Sequence, residues 1–229
     1  ITYNLPSVTA ALRLDGPTLA QIYLHTITRW NDPAIAALNP TLSLPNVPII
    51  PVHRSDGSGT TYIFSDYLST VSQEWFYNEG RNKVIQWPYG VAGNGNGGVA
   101  AAVKQRLGGI GYVELAYAIA DKLSYASMQN KAGGFVLPTP DSIGAAAMQF
   151  PDIYAQHFSI VDAPGAQSYP ISGYSWVLLR RHPHAHAAEL VPLFRWMTTT
   201  GQDYAVQLHY VPLPAPVQHL AATVLSNVA

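Results

Sequence analysis

The sequence contains no cysteine, and this absence excludes disulfide bonds, thiolate metal sites and cysteine nucleophiles. It also has little charge, since charged residues make up 11% of the 229 residues and the formal net charge is −1. A chain with this composition has no general electrostatic attraction to nucleic acid or to an anionic membrane. We therefore expect no nucleic-acid partner, and any ligand must be recognised at a local site.

Long apolar runs are also missing, since none approaches the roughly 20 residues of a membrane-spanning helix. The sequence opens on ITYNLPSV, and the numbering shows no basic region or cleavage site of an export signal. Hydrophobic residues nevertheless make up 48% of the chain. A chain of this length and composition can bury a substantial core, as one large domain or as two small lobes.

Strand-like and helix-like segments alternate along the chain, which favours an α/β fold with a mostly parallel sheet. The tryptophans fit core packing better than base stacking (Trp30, Trp75, Trp87, Trp176 and Trp196). We predict strands at 1–5, 47–53, 108–115 and 172–181, and helices after 14–18, after 31–33, at 61–78, at 99–107, near 141–149, at 184–200 and at 201–209.

The stretch HRSDGSGTTYIF at 53–64 is the leading candidate for a binding site. A strand is predicted to end where it begins, and a helix is predicted to start near Gly59 or Thr60. The first N–H groups of a helix have no partner within it and carry the positive end of its dipole, so an anion is stabilised there. Glycine lets the backbone approach such an anion, and the hydroxyls of Ser58, Thr60 and Thr61 add donors.

Two charged residues of the same stretch complete the pattern. Arg54 can offer a two-pronged contact of the kind that a tetrahedral oxyanion prefers. Asp56 would repel an anion, but it lies two positions away and can lock the guanidinium in place. The alternative interpretation is a capped turn with a surface ion pair.

Other motifs point less clearly to chemistry. GNGNGG at 93–98 is neither a P-loop nor a complete dinucleotide fingerprint, and we interpret it as a tight turn that caps a helix from Val99, with a ligand border as the alternative. Ser58 lacks the glycines two positions to either side that a nucleophile elbow needs, and no carboxylate pair presents itself as acid and base. Three histidines lack a nearby carboxylate pair and predict a solvated surface rather than a metal site (His182, His184 and His186). We therefore expect no catalytic residue, no metal and no cofactor.

Three segments resemble, in order, the periplasmic phosphate-binding proteins of bacterial ABC phosphate importers: LRLDGPTLAQIYLHTITRWNDPAIAALNP, HRSDGSGTTYIFSDYL and WPYGVAGNGNGGVAAAVKQRLGGIGYVELAYA. The later segments YPISGYSWVLL and DYAVQLHYVPLPAPV fit the same family. The resemblance implies a two-lobed, type II periplasmic-binding-protein fold that closes on one dehydrated phosphate. It also implies that the phosphate oxygens are bound by Arg54, Ser58, Gly59 and Thr60, and that Asp56 orients Arg54.

The chain departs from the family at its start. Family members carry several dozen residues before the segment equivalent to ITYNLP, including a first phosphate loop and the carboxylate that accepts a hydrogen bond from the protonated ligand. We accordingly expect one lobe to be nearly complete, at 6–170, and to carry the anion loop. We expect 1–5 and 171–229 to form the remainder of a second lobe that lacks its N-terminal strands. We favour a piece of a longer binding protein over a natural short relative.

The resemblance implies a function and a setting. We expect extracytoplasmic binding of inorganic phosphate by a monomer, with delivery to the membrane permease of an ABC phosphate importer. The location would be periplasmic or extracellular, with cell-surface anchoring in some relatives. The alternative is a ligand-free scaffold, or an adhesin-like partner-binding protein, derived from the same fold. A phosphatase would need a nucleophile and a base near Ser58, and only His53 is adjacent, so we expect no enzyme.

Overall fold

The computed structural model describes residues 1–154, 157–179 and 187–227. The three histidines of RRHPHAH lie outside these ranges. The described strands are β1 (Thr2–Tyr3), β2 (Arg13–Leu14), β3 (Ile50–Arg54), β4 (Val91–Gly93), β5 (Gly109–Gly111), β6 (Ser124–Tyr125), β7 (Ser127–Gln129) and β8 (Phe135–Val136). The described helices are α1 (Gly16–Tyr23), α2 (Pro33–Leu38), α3 (Gly59–Val71), α4 (Gln73–Asn78), α5 (Gly95–Gln105), α6 (Leu115–Ala120), α7 (Pro140–Met148), α8 (Ala187–Met197) and α9 (Ala215–Ser226), with 3-10 turns at Thr200–Tyr204 and Val206–Leu208.

The main sheet has five strands in the order β4-β3-β5-β1-β6. Strand β3 runs parallel to both β4 and β5, whereas β1 runs antiparallel to β5 and to β6. A smaller sheet, β2-β7-β8, pairs β2 with β7 in parallel and β7 with β8 in antiparallel. The α/β fold predicted from the alternating pattern is therefore confirmed, but the expectation of a mostly parallel sheet is wrong, because half of the strand pairs described are antiparallel.

Strand β1 lies inside the sheet that carries β3. Thr2 pairs with Gly111 on one side and with Tyr125 on the other. The expectation that residues 1–5 pack with 171–229 does not match this pairing, because their backbone hydrogen bonds go to β5 and β6. The division of the remaining chain into two lobes stays a prediction.

Several predicted elements have different bounds in the structure. Residues 47–49 bond to 28–30 instead of extending β3 toward its start, since Trp30 N donates to Val47 O and Ile49 N donates to Thr28 O. The helix predicted at 61–78 begins earlier and divides at Ser72, whose extended backbone ends α3 and starts α4. Serine favours such a cap because its hydroxyl accepts a hydrogen bond from the following turn, here from Trp75 N at 3.2 Å.

The strand predicted at 172–181 is wrong over the described residues 172–179. These residues form no strand, and Trp176 and Leu178 are 47% and 94% exposed. The run of apolar and aromatic residues is typical of a buried strand, but a strand also needs a neighbouring strand to accept and donate its backbone hydrogen bonds. No strand in the described part of the chain pairs with this segment.

The core lies between the main sheet and the helices on its face. Trp30 and Trp75 are fully buried, as predicted, whereas Trp176 and Trp196 are about half exposed. A group of aromatic rings fills the space beneath the end of β3: Tyr23, Phe64, Trp87 and Tyr112 have ring centroids 4.3–6.4 Å apart. The Tyr23 hydroxyl donates to Val52 O at 3.3 Å. This packing fixes the position from which the candidate site projects.

Candidate anion-binding site

The anion loop connects the end of β3 to the start of α3. Ser58 is the N-cap residue, and its Oγ accepts a hydrogen bond from Thr61 N at 3.1 Å. Tyr62 N donates to Ser58 O, which closes the first turn. The N–H groups of Gly59 and Thr60 have no acceptor within the helix, because they belong to its first turn. These two N–H groups lie at the N-terminal end of a 13-residue helix, where the helix dipole is positive.

Arg54 and Asp56 form a two-pronged ion pair beside this helix start. Arg54 Nε donates to Asp56 Oδ1 at 2.8 Å, and a second Arg54 nitrogen, Nη2, donates to Asp56 Oδ2 at 2.5 Å. The Arg54 side chain is only 10% exposed, and that of Asp56 is 36% exposed. The bond from Arg54, supported by one from Gly95 N, holds the pKa of Asp56 well below its usual range. The same bond raises the pKa of Arg54, so both groups are charged near neutral pH.

Tyr112 supports the base of the loop. Arg54 N donates to the Tyr112 hydroxyl at 3.1 Å, and that hydroxyl lies 2.8 Å from Thr61 Oγ1. Burial raises the pKa of Tyr112 to about 12, so the phenol keeps its proton at neutral pH. The ring stacks on Phe64 at a centroid distance of 4.3 Å. One phenol thus ties the end of β3 to the first turn of α3.

The glycine-rich stretch 93–98 also reaches the ion pair. The helix begins at Gly95 rather than at Val99, so the interpretation of this stretch as a turn before the helix is wrong. Gly95 N donates to Asp56 Oδ1 at 3.0 Å, and Arg54 Nη1 donates to Asn96 Oδ1 at 3.4 Å. Gly95 has a φ of +64°, a conformation that glycine adopts without a steric cost.

Sheet topology explains why the two stretches meet. Strands β3 and β4 are parallel neighbours, and Arg54 is in register with Gly93. The carboxyl ends of parallel strands lie at one edge of a sheet, where ligands bind in open α/β folds. In both segments a strand leads into a glycine-containing turn, and this shared order is the signal that could have identified Asn96.

The structure brings the predicted residues of the loop together at this edge. Ser58 is 3% exposed, and its N–H donates to Lys83 O at 3.0 Å, so only its hydroxyl is available to a ligand. Gly59 is exposed and Thr60 is half-buried. Their binding of phosphate stays a prediction, but their donors share one edge with the braced guanidinium of Arg54.

His53 packs against the aromatic group beneath the site. Its ring stacks on Trp87 at 4.9 Å, and its Nδ1 lies 3.2 Å from Arg54 O. Burial lowers the pKa of His53. The Ser58 Oγ is engaged with Thr61 N instead.

The described ranges also bear on metal binding and on membrane crossing. They contain no group of three or more histidine or acidic side chains that could hold a metal ion. No helix of residues 1–154, 157–179 or 187–227 has the length and apolar character that a membrane crossing requires.

Comparisons with known proteins place the chain among binding proteins. A family model described as a PBP superfamily domain matches residues 1–199. The phosphate-binding protein PstS of Xylella fastidiosa (strain 9a5c) is 48% identical over 207 residues, which cover 89% of this chain and 57% of that protein. PstS of Pasteurella multocida (strain Pm70) is 46% identical over 221 residues, which cover 93% of this chain and 64% of that protein. The chain therefore spans less than two thirds of the length of these relatives.

Solved structures share the fold. The periplasmic phosphate-binding protein PfluDING, bound with phosphate, matches 98% of this chain and 67% of its own with a TM-score of 0.68 at 22% identity. The phosphate-binding protein of Stenotrophomonas maltophilia matches 97% of this chain and 66% of its own with a TM-score of 0.63 at 17% identity. The resemblance predicted from the sequence motifs is confirmed: the chain belongs to the PBP superfamily, and its α/β architecture is that of the type II periplasmic binding proteins.

Proposed function

We propose that the chain binds inorganic phosphate at the 53–64 loop and serves an extracytoplasmic receptor that delivers phosphate to the membrane permease of an ABC importer. The single observation that carries the proposal is the braced cation: Arg54 is held by Asp56 beside the open N-terminus of α3. The names of the PstS relatives and the phosphate in the PfluDING structure support the choice of ligand.

The arrangement offers donors to a tetrahedral oxyanion. A guanidinium has five N–H donors, of which three are bonded to Asp56 and Asn96. Two remain for a ligand. The Ser58 hydroxyl, the Gly59 N–H and the N–H and hydroxyl of Thr60 add further donors, and charge-assisted hydrogen bonds to an anion are stronger than neutral ones.

The proposal includes the organisation of the protein. We assign the anion loop to a lobe that spans 6–170 together with strand β1, and we assign 171–229 to a second lobe. A receptor of this kind acts outside the cytoplasm as a monomer and performs no chemistry on its ligand. Size-exclusion chromatography with light scattering tests the monomer, since a stable dimer would contradict it.

Calorimetric titration with phosphate tests the ligand. Arg54→Ala removes a nearly buried cation from the anion, and a loss of this kind costs about 2–5 kcal/mol, or roughly 30-fold or more in Kd. Arg29→Ala is the matched control. Arg29 is exposed, and its side chain bonds to Asn46 Oδ1 at 2.8 Å. Its backbone pairs with Pro48, before the start of β3, so it belongs to neither the anion loop nor the ion pair. This substitution should leave the affinity unchanged.

A thermal-shift measurement distinguishes a phosphate-binding protein from a ligand-free scaffold. A ligand that binds only the folded state raises the melting temperature, so the wild-type Tm should rise with phosphate and the Arg54→Ala Tm should not. If the wild-type protein is folded and its Tm does not change with millimolar phosphate, the proposal is overturned and a ligand-free scaffold is favoured.

A further inference from the structure

The first turn of α5 contacts the Arg54–Asp56 pair at two points, from outside the loop that carries the pair. We propose that Asn96 is a positioning residue of the anion site: its side-chain oxygen, together with the N–H of Gly95, holds the pair so that the free N–H groups of Arg54 face the anion. The inference rests on the proposed function and adds to it a residue from the stretch 93–98.

The charges show why such a second brace is needed. Arg54 and Asp56 carry opposite charges, so the pair by itself has no net charge with which to attract an anion. The N–H of Gly95 donates to Asp56 Oδ1 at 3.0 Å, and it belongs to the first turn of an 11-residue helix. The positive end of that helix dipole offsets part of the carboxylate charge. The pair therefore keeps a positive potential toward its open side.

Asn96 contributes orientation without adding charge. The guanidinium is planar, and Asp56 engages Nε and Nη2 along one of its sides. Nη1 lies on the other side, where Asn96 Oδ1 accepts from it at 3.4 Å. A bond of this length is weak, but it comes from a neutral amide that cannot neutralise Arg54. The two contacts together limit rotation of the guanidinium about its own axis.

The same stretch provides a matched control. Asn94 lies two positions before Asn96, is exposed, and its side chain makes no capping bond to α5. Replacement of either asparagine by alanine removes a side-chain amide from the stretch 93–98. Only Asn96→Ala removes a contact with Arg54.

The first experiment needs no ligand. NMR measures the exchange with water of the Arg54 Nη1–H protons, one of which Asn96 accepts, in the wild type, in Asn94→Ala and in Asn96→Ala. We expect exchange to become several-fold faster in Asn96→Ala and to match the wild type in Asn94→Ala. Equal exchange in all three proteins would overturn the inference, and this holds whether or not phosphate binds.

The second experiment titrates the same proteins with phosphate. Asn96→Ala should weaken binding about 3-fold, near the lower end of the range for one hydrogen bond, because this bond is long. Asn94→Ala should bind phosphate as the wild type does. If the wild-type protein shows no phosphate binding in this titration, the proposed function is overturned. The exchange measurement would still decide the role of Asn96.

A charge variant separates positioning from general structural support. Asn96→Asp keeps an acceptor for Nη1 but adds a negative charge, so it should bind phosphate less tightly than Asn96→Ala at pH 7. Its deficit relative to Asn94→Asp should shrink only as the pH falls below the ordinary carboxylic value near 4, because Arg54 lowers the pKa of the introduced carboxyl and protonation removes the added charge. A pH-independent deficit would contradict the proposed contact.

Discussion

Gly93→Ala should disturb the anion site although Gly93 has no side chain to contact it. Gly93 ends strand β4, and its φ is not positive, so alanine can adopt its backbone conformation. A Cβ at this position would lie 2.6 Å from Val99 N, 2.7 Å from Gly98 C and 2.8 Å from Gly98 O. All three atoms belong to the backbone of α5 and cannot rotate away.

The magnitude follows from this close approach. Real Cβ contacts are essentially never shorter than 3.0 Å, so the first turn of α5 must shift away from β4. Overpacking of this kind costs about 1–3 kcal/mol of the free energy of unfolding. The same turn carries the N–H of Gly95 and the side chain of Asn96, which hold Asp56 and Arg54. We therefore expect weaker phosphate binding together with the loss of stability.

Gly97→Ala is the matched comparison, because Gly97 lies in the first turn of α5, the helix that follows Gly93. A Cβ there would meet only Tyr117 Cε1, at 3.9 Å, which is an ordinary contact. Alanine is a better helix former than glycine, so this variant should be more stable than the wild type by up to about 1 kcal/mol.

Urea unfolding of both variants measures the effect as a change of midpoint at unchanged slope. The reasoning predicts opposite signs for Gly93→Ala and Gly97→Ala. A Gly93→Ala protein within about 0.5 kcal/mol of the wild type would refute it, because that value is typical of a surface substitution without a steric conflict.

Four further substitutions test the supports of the loop and one cap outside it. Tyr112→Phe leaves Arg54 N and the Thr61 hydroxyl without their partner, and it should cost about 1–3 kcal/mol in thermal or urea unfolding. Ser58→Ala and Ser72→Ala each remove an N-cap bond and should each cost about 1 kcal/mol, but calorimetry should show weaker phosphate binding only for Ser58→Ala. Asp56→Asn removes a carboxylate whose pKa is lowered by folding; its stabilising effect is present above the ordinary carboxylic pKa near 4 and is lost as the pH falls, so acid-unfolding curves of wild type and variant should converge at low pH.

The features that the sequence predicted well depend on residues close together in the chain. Asp56 follows Arg54 by two positions, and Thr61 follows its cap Ser58 by three. Short spacing, capping preference and charge pairing act locally, so the helix start and the ion pair could be inferred without knowledge of the fold.

The missed features depend on distant partners. Asn96 lies 42 positions from Arg54, and Tyr112 lies 58 positions from it, and only the parallel pairing of β3 with its neighbours brings them together. The strand predicted at 172–181, which is wrong over residues 172–179, also depends on distant partners. Its composition fits a strand, but the described chain offers no neighbouring strand for residues 172–179.

The geometry of Asp56 also limits what the loop can recognise. Both of its carboxylate oxygens accept from Arg54, and one accepts from Gly95 as well, so three of the roughly four acceptor positions of the carboxylate are already used. The other groups that the loop offers to a ligand are donors, apart from hydroxyls. A site of donors attracts phosphate and sulfate alike, because only an acceptor distinguishes the protonated anion from the fully ionised one. We therefore expect the 53–64 loop to supply mainly charge and shape, and we expect a preference for phosphate over sulfate to need an acceptor outside it.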